Sequence, residues 1–228
     1  TIGHYLSIAI KKYTDKNPII ISNWANSDFV KPTDKKTNRF AIQYKLTDKF
    51  TVMYSGNWGL THNLEAIVLT AEKLKHNSFI QFVIIGDGAK RSMIELMIKE
   101  KKLTNILLLP YQDKKILPAS LSSADVAVIS LSEGAEHVSV PSKTYSSLSA
   151  GSVILALASE KSELGLLVKQ YNCGAIFTGF NINEIAQFIE ALSTNSNQTD
   201  EFKKNARIAA QSFTPENAKL YYNEIHKS

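Results

Sequence analysis

The chain has 228 residues, of which 44% are hydrophobic and 21% are charged, and its formal net charge is +5. These values are typical of one or two folded domains with a full apolar core. The single cysteine, Cys173, excludes a disulfide framework within the chain and fits a reducing compartment. No apolar run approaches the ~20 residues of a membrane span, and the first residues lack the apolar segment of a signal peptide.

The positive net charge favours anionic partners such as phosphate-bearing metabolites. The lysines occur as pairs scattered along the chain, and aromatic residues are not interleaved with them as they are in single-strand binders. We therefore interpret most of them as solvated surface and expect no nucleic-acid partner.

The first 49 residues form a separate region of the sequence. Residues 2–13 have a helical pattern, residues 18–22 (PIIIS) read as a short strand, and a polar, turn-rich stretch with Pro32 follows. We interpret that polar stretch as a linker.

From Phe50 onward, apolar segments of strand length alternate with segments of helical period. The predicted strands are FTVMYSG, FIQFVIIGDG, NILLLP, DVAVISLS, SVILALA and GAIFTG. The predicted helices cover residues 62–75, 89–101, 116–124, 142–150, 162–171, 183–192, 201–213 and 215–227. Such alternation predicts an α/β fold, a Rossmann-like parallel sheet with helices on both faces. Ligands of these sheets bind at the carboxyl ends of the strands.

The loop after the first long strand, SGNWGLTHN, carries Gly56, Asn57, Gly59 and His62. Glycines allow a ligand to approach the backbone, and the start of the next helix offers free N–H groups to an anion. A tight structural turn explains a bare G-x-x-G equally well. His62 is either a solvated residue or a donor to phosphate or sugar.

Two later loops carry weaker signals. GDGAK (residues 86–90) lacks the third glycine of a dinucleotide motif. LPYQDKK places Tyr111 and Gln112 at a strand end, where a flat ring and amides could frame a nucleobase. An exposed turn is an equal explanation for these residues.

The fourth loop holds Pro141, Ser142 and Lys143 just before a helical segment, preceded by Glu133 and Glu136. Pro141 suits the first helical position. A lysine at the positive end of a helix is mildly unfavourable, so Lys143 indicates an anion there. A diphosphate would take the helix N–H groups, the Ser142 hydroxyl and the ammonium together. The glutamates either accept hydrogen bonds from sugar hydroxyls or face water.

In their order, these motifs resemble the donor-binding half of a family 4 glycosyltransferase of the GT-B fold, close to bacterial enzymes of capsule, O-antigen or colanic-acid-like polysaccharide synthesis. The resemblance runs from Ile19 to the C-terminus. The matching segments are IIISNWANSDFVKP, YSGNWGLTHNLE, FVIIGDGAKRSMIE, NILLLPYQDKKILPASLSSADVAVISL, VPSKTYSSLSAG and ELGLLVKQYNCGAIF.

The resemblance implies a domain division and a reaction. Residues 1–30 would be the tail of the N-terminal acceptor domain, residues 31–49 a linker, and residues 50–228 the nucleotide-sugar-binding domain. The implied reaction transfers a sugar, with retention, from a nucleotide diphosphate (UDP by analogy with the subgroup) to a glycan or lipid-linked acceptor. It needs no metal and no other cofactor. The implied location is the cytoplasm, with peripheral association at the inner face of the membrane.

The resemblance also assigns residues, and this chain departs from the family pattern at several of them. Asn57 and His62 stand where the family usually has two basic residues. Counting back from Gly151 places Val138 and Ser146 at the two positions where the family has a glutamate pair. Ser146 thus stands at the family's ribose-binding position. The P-S-K version of the motif is present, with Lys143 as the catalytic cation. Either Glu133 or Glu136 would take the place of the sugar-facing glutamate.

Two other functions are compatible with the same motifs. One is a nucleotide-sugar epimerase with a GT-B-like fold. The other is a non-catalytic, degenerate transferase module that binds a partner chain. On the transferase hypothesis we expect this chain alone to turn over no substrate, because the acceptor face would be missing.

Overall fold

The computed structural model describes residues 1–60, 62–131, 140–178 and 181–226. In these residues the chain forms a sheet of six parallel strands in the order β3-β2-β1-β4-β5-β6. The strands are β1 (Phe50–Ser55), β2 (Ile80–Ile85), β3 (Ile106–Leu109), β4 (Val126–Ser130), β5 (Val153–Leu157) and β6 (Gly174–Phe177). The predicted Rossmann-like sheet and all six predicted strands are confirmed.

The described residues also form ten helices, several of which pack on the two faces of this sheet. They are α1 (His4–Lys11), α2 (Arg39–Gln43), α3 (Leu64–Lys73), α4 (Arg91–Glu100), α5 (Leu117–Ser122), α6 (Lys143–Ala150), α7 (Glu163–Tyr171), α8 (Ile182–Thr194), α9 (Ser196–Ala210) and α10 (Asn217–Ile225). None of the helices in the described part of the chain is long and apolar enough to cross a membrane.

Alternation along the strands divides the core between the two faces. Val52 of β1 packs with Ile67 of α3 and Ile189 of α8 on one face. On the other face, Ile154 of β5 packs with Leu148 of α6, together with side chains of α7 and α9. The four central strands, β2, β1, β4 and β5, are therefore buried on both sides, which explains their continuous apolar sequences.

The region before β1 differs from its prediction in two places. Residues 18–22 form no strand, so the strand predicted for PIIIS is wrong. Within the polar stretch, α2 forms because the Asn38 side chain accepts hydrogen bonds from the N–H groups of Phe40 and Ala41. Phe40, Ala41 and Leu46 are buried in a core cluster with Met53 and Val83 of the sheet. Part of the predicted linker is thus packed on the six-stranded sheet.

A buried carboxylate fixes this region to the sheet. Asp125, just before β4, accepts hydrogen bonds from the ammonium of Lys35, from that of Lys203 (2.7 Å) and from the N–H of Thr51 (2.7 Å). Burial opposes ionisation of the carboxyl group, but the two ammonium groups outweigh it and lower the pKa of Asp125. Burial also lowers the pKa of Lys35 despite its partner.

We expect Asp125→Asn to lower the free energy of unfolding by about 2–3 kcal/mol, because two partly buried ammonium groups would lose their counter-ion. A lowered pKa means that the stabilisation is complete above about pH 4, the usual aspartate value, and is lost as the pH falls through the folded-state pKa. Urea unfolding between pH 3 and pH 7 measures both effects. Glu160→Gln, which removes an exposed ion pair with Lys169, should leave the unfolding midpoint unchanged. An equally small effect of Asp125→Asn would contradict the assignment.

Candidate functional site

The strand order creates a crevice between β1 and β4. The chain runs from β1 outward to β2 and β3, and from β4 outward in the other direction to β5 and β6. The loops that follow β1 and β4 therefore diverge at the carboxyl edge of the sheet, which is the usual ligand position in such folds. Gly56 follows β1 directly, and α6 begins beyond the loop that follows β4.

The loop after β1 is held rigidly against the loop after β2. The N–H of Gly56 donates to Ile85 O (3.0 Å), and that of Trp58 donates to Asp87 O (2.9 Å). The Trp58 ring is buried, and the hydroxyl of Tyr54 donates to Asn57 O (2.6 Å). Residues 56–58 are consequently held in place by the loop after β2 and by Tyr54.

Lys143, the first residue of α6, lies directly over this loop. A Cβ placed on Gly56 would lie 3.3 Å from its Nζ, so the absence of a side chain there leaves room for the ammonium. Nζ is buried, lies 3.9 Å from the centroid of the Tyr54 ring, and has no hydrogen-bond acceptor within the described ranges. Burial lowers the pKa of Lys143 to about 8. The site therefore holds a desolvated cation that no described carboxylate neutralises.

His62 lies beside this cation. Its ring is 6.2 Å from that of Tyr54, and its Nδ1 is buried without a partner among the residues described. Burial and then the charge of Lys143 lower the pKa of His62. The imidazole is therefore neutral at pH 7 and can offer an N–H group to an anion without adding charge.

Lys90 contributes structure to the site rather than free charge. Its ammonium is paired with Glu65 (2.7 and 2.8 Å) and donates to His62 O (2.7 Å). Since this side chain is largely buried and fully engaged, it fixes the backbone at His62. The cationic character beside the Gly56 loop thus comes from Lys143.

A cavity of about 370 Å³ opens next to Lys143, between α5, α6 and residues 24–30. Its polar lining comprises Asn26, Ser55, Lys114, Ser142, Lys143, Ser146, Ser147 and Ser152. Its apolar lining includes Met53, Leu117, Leu121, Ala127, Ile129, Trp24 and Phe29. A mostly apolar recess with a few polar groups at one end is typical of a small-molecule site.

The structure brings some of the predicted site residues together and separates others. Ser142, Lys143 and Ser146 line the same cavity. Pro141 lies two residues before α6, so its predicted place at the first helical position is wrong; its carbonyl accepts from Thr144 N (2.9 Å).

The other predicted residues lie in the surrounding loops. Gly56 contacts Lys143, and Asn57, Gly59 and His62 follow it in the same loop. Tyr111 is exposed in the loop after β3, with its hydroxyl 3.3 Å from Asp87 O, and the Gln112 amide donates to Pro110 O (2.7 Å). Neither is among the residues that line the cavity. Glu133 and Glu136 lie outside the described residues.

Two residues of the site escaped the sequence reasoning. Tyr54 occupies an inward position of β1 and reads as ordinary core in the sequence, yet it contacts Lys143 and fixes Asn57. Lys114 belongs to one of the scattered lysine pairs whose pattern predicts solvated surface, yet it lines the cavity. These contacts arise because the loops that carry the residues are close in space. Residues near each of them in the sequence give no sign of that proximity. Among the described residues there is no group of three or more His, Cys, Asp or Glu side chains that could hold a metal ion.

Comparison with known proteins gives consistent matches. The family model described as "Glycosyl transferases group 1" matches residues 34–209. The putative colanic acid biosynthesis glycosyl transferase WcaI of Escherichia coli (strain K12) is 28% identical over 198 residues, which cover 86% of this chain and 47% of that protein. The probable glycosyltransferase WbjE of Pseudomonas aeruginosa is 30% identical over 178 residues, which cover 76% of this chain and 44% of that protein. The chain thus spans about half the length of both relatives.

The fold is shared with solved glycosyltransferase structures. HepE of Anabaena, crystallised with UDP and glucose, superposes with a TM-score of 0.77 at 14% identity, over 96% of this chain and 60% of that one. The parallel sheet described above is therefore the Rossmann-like half of a GT-B fold. With the family model matching most of its length, the chain belongs to the group 1 glycosyl transferases.

Proposed function

We propose that this domain binds the nucleotide-sugar donor, a UDP-sugar, for a retaining glycosyltransferase of bacterial polysaccharide synthesis. The observation that carries the proposal is the buried ammonium of Lys143 over Gly56 at the β1/β4 crevice, which no carboxylate of the described residues neutralises. A buried cation without a counter-ion is costly, and a bound anion removes that cost. A diphosphate is the anion that a nucleotide-sugar donor supplies.

The proposed reaction breaks the bond between the anomeric carbon and the β-phosphate oxygen and forms a bond to an acceptor hydroxyl oxygen. The acceptor proton leaves with the nucleoside diphosphate, so the atoms balance. Negative charge grows on the departing phosphate, and a fixed cation beside it lowers the barrier. Lys143 supplies that cation, while the neutral His62 and the start of α6 supply N–H groups. The proposed reaction uses no metal or other cofactor.

The cavity beside Lys143 gives the rest of the donor a place to bind. In our proposal the nucleoside enters the recess lined by Ser146, Lys114 and Leu117. HepE, which shares the fold, was crystallised with UDP and glucose, and this supports uracil as the base. The acceptor, a glycan or lipid-linked sugar, is proposed from the WcaI relative. Cytoplasmic location and peripheral membrane association belong to the same proposal and rest on the sequence resemblance.

Isothermal titration of the 228-residue chain with UDP tests the proposal. We expect saturable binding with a micromolar to low-millimolar Kd, weaker binding of GDP and ADP, and no effect of EDTA. Uridine, which lacks the diphosphate, should bind at least tenfold more weakly than UDP, because it leaves Lys143 unpaired. The absence of binding at millimolar concentrations of all three nucleotides would contradict the donor-site function and favour a non-catalytic module.

A further inference from the structure

Tyr54 occupies a central place among the site residues. Its side chain is fully buried near the end of β1, in the core cluster with Trp58 and Leu64. From there the ring face lies 3.9 Å from Lys143 Nζ, the ring packs edge-on to His62, and the hydroxyl donates to Asn57 O at 2.6 Å. One buried side chain therefore touches three separate parts of the proposed donor site.

We propose that Tyr54 is a positioning residue for the donor diphosphate: its ring face holds the ammonium of Lys143 over Gly56, and its hydroxyl fixes the backbone of Asn57. This inference rests on the donor-site function proposed above. It assigns a role to a residue that does not itself touch the reacting atoms.

Contact of the Lys143 ammonium with an aromatic ring differs physically from contact with a carboxylate. A carboxylate partner would neutralise Lys143 and compete with the phosphate for it. An aromatic face attracts the ammonium through its quadrupole, and it leaves the net charge and the hydrogen-bond donors available. The lysine is thus oriented before the ligand arrives, which lowers the ordering cost of binding.

This arrangement couples donor binding to the uptake of a proton by Lys143. Burial lowers the pKa of Lys143 to about 8, so a bound diphosphate, which favours the ammonium form, should cause proton uptake between about pH 7.5 and pH 9. Burial raises the pKa of the Tyr54 hydroxyl, and burial with the charge of Lys143 lowers that of His62, so both stay neutral across this range. The cations nearby are Lys90, paired with Glu65, and Lys114 on the cavity lining.

The test is UDP titration of the 228-residue chain from pH 6.5 to pH 9.5, with each point repeated in two buffers of different ionisation enthalpy. The unmodified chain should lose about tenfold in affinity between pH 7 and pH 9 and take up a proton near pH 8. Tyr54→Phe keeps the ring, so it should keep that midpoint while binding UDP a few-fold more weakly through the loss of the Asn57 contact.

Tyr54→Leu and Tyr54→Met remove the ring face, and in either variant the midpoint should fall by about one pH unit. Met fills space flexibly, so it provides a folded variant if Leu does not. Lys143→Met should abolish the proton uptake. If the ring-free variants keep both the pH midpoint and the UDP affinity of the unmodified chain, the role of Tyr54 is overturned and the donor site stands. If the unmodified chain does not bind UDP, both are overturned.

Discussion

Replacing Lys143 with alanine should weaken UDP binding by roughly 10- to 100-fold at pH 7, the range expected for losing a charge-assisted hydrogen bond to phosphate in a desolvated site. The same change should leave the thermal midpoint of the free domain unchanged or raise it. The reason is that the ammonium is buried without a hydrogen-bond partner among the described residues, so its removal relieves a desolvation cost that outweighs the lost contact with the Tyr54 ring. Opposite effects on binding and stability distinguish a binding residue from a structural one.

Two variants provide controls for this experiment. Lys143→Met keeps the stem of the side chain against Tyr54 and removes only the charge, so it should bind UDP as weakly as the alanine variant. Lys169→Ala removes an exposed lysine of α7 that is paired with Glu160, and its UDP affinity should equal that of the unmodified chain. Undiminished UDP binding by both Lys143 variants would remove this residue from the site without affecting the fold.

Gly86→Ala should have the largest effect on stability, about 4 kcal/mol or more. Gly86 has φ +134°, and a Cβ there would lie 1.9 Å from Gly56 O and 2.9 Å from the Trp58 ring nitrogen. The Gly56 carbonyl cannot move away easily, because the N–H of Gly56 donates a hydrogen bond to Ile85 O. The loop under Lys143 would have to move, so UDP binding should be lost with stability. Urea unfolding and titration of the same sample measure both.

Gly59→Ala is the matched control in the same loop. Its Cβ would lie 3.2 Å from the Asn57 amide nitrogen, which is the end of a flexible and exposed side chain. A small shift of that side chain relieves the contact, so we expect a change in the free energy of unfolding within about 1 kcal/mol. Similar losses in Gly59→Ala and Gly86→Ala would show that the loop is sensitive to any side chain and would contradict the specific clash.

The fold was largely predictable because its four central strands are buried on both faces. Runs such as FVII and VILAL combine strand length with apolar side chains at every position, which a solvated strand would not show. The same reasoning failed for PIIIS, where Ile21 is buried but Ile19 and Ile20 are exposed, so this apolar run is not covered on both faces. Helix α2 was missed because its signal is a single capping residue, Asn38, in a polar setting.

The candidate site was only partly predictable. Lys143 could be identified because a cation at the start of a helix conflicts with the helix dipole, and a conflict of this kind marks function. Tyr54 carries no such conflict: an aromatic residue in a strand agrees with every local rule. Its role arises from the approach of two loops far apart in sequence. The roles of Glu133 and Glu136 stay predictions, because both lie outside the described residues.

The carboxylate of Asp125 has a consequence for how the domain forms. It accepts hydrogen bonds from residues 74, 78 and 90 positions away in sequence, and the two central strands, β1 and β4, pair across a similar interval. Closing such long loops costs entropy before any contact compensates for it, and high contact order slows folding. One edge of β1 therefore stays unpaired until β4 has been synthesised. The crevice beside Lys143 thus lies at the strand pairing that spans the longest sequence interval in the sheet.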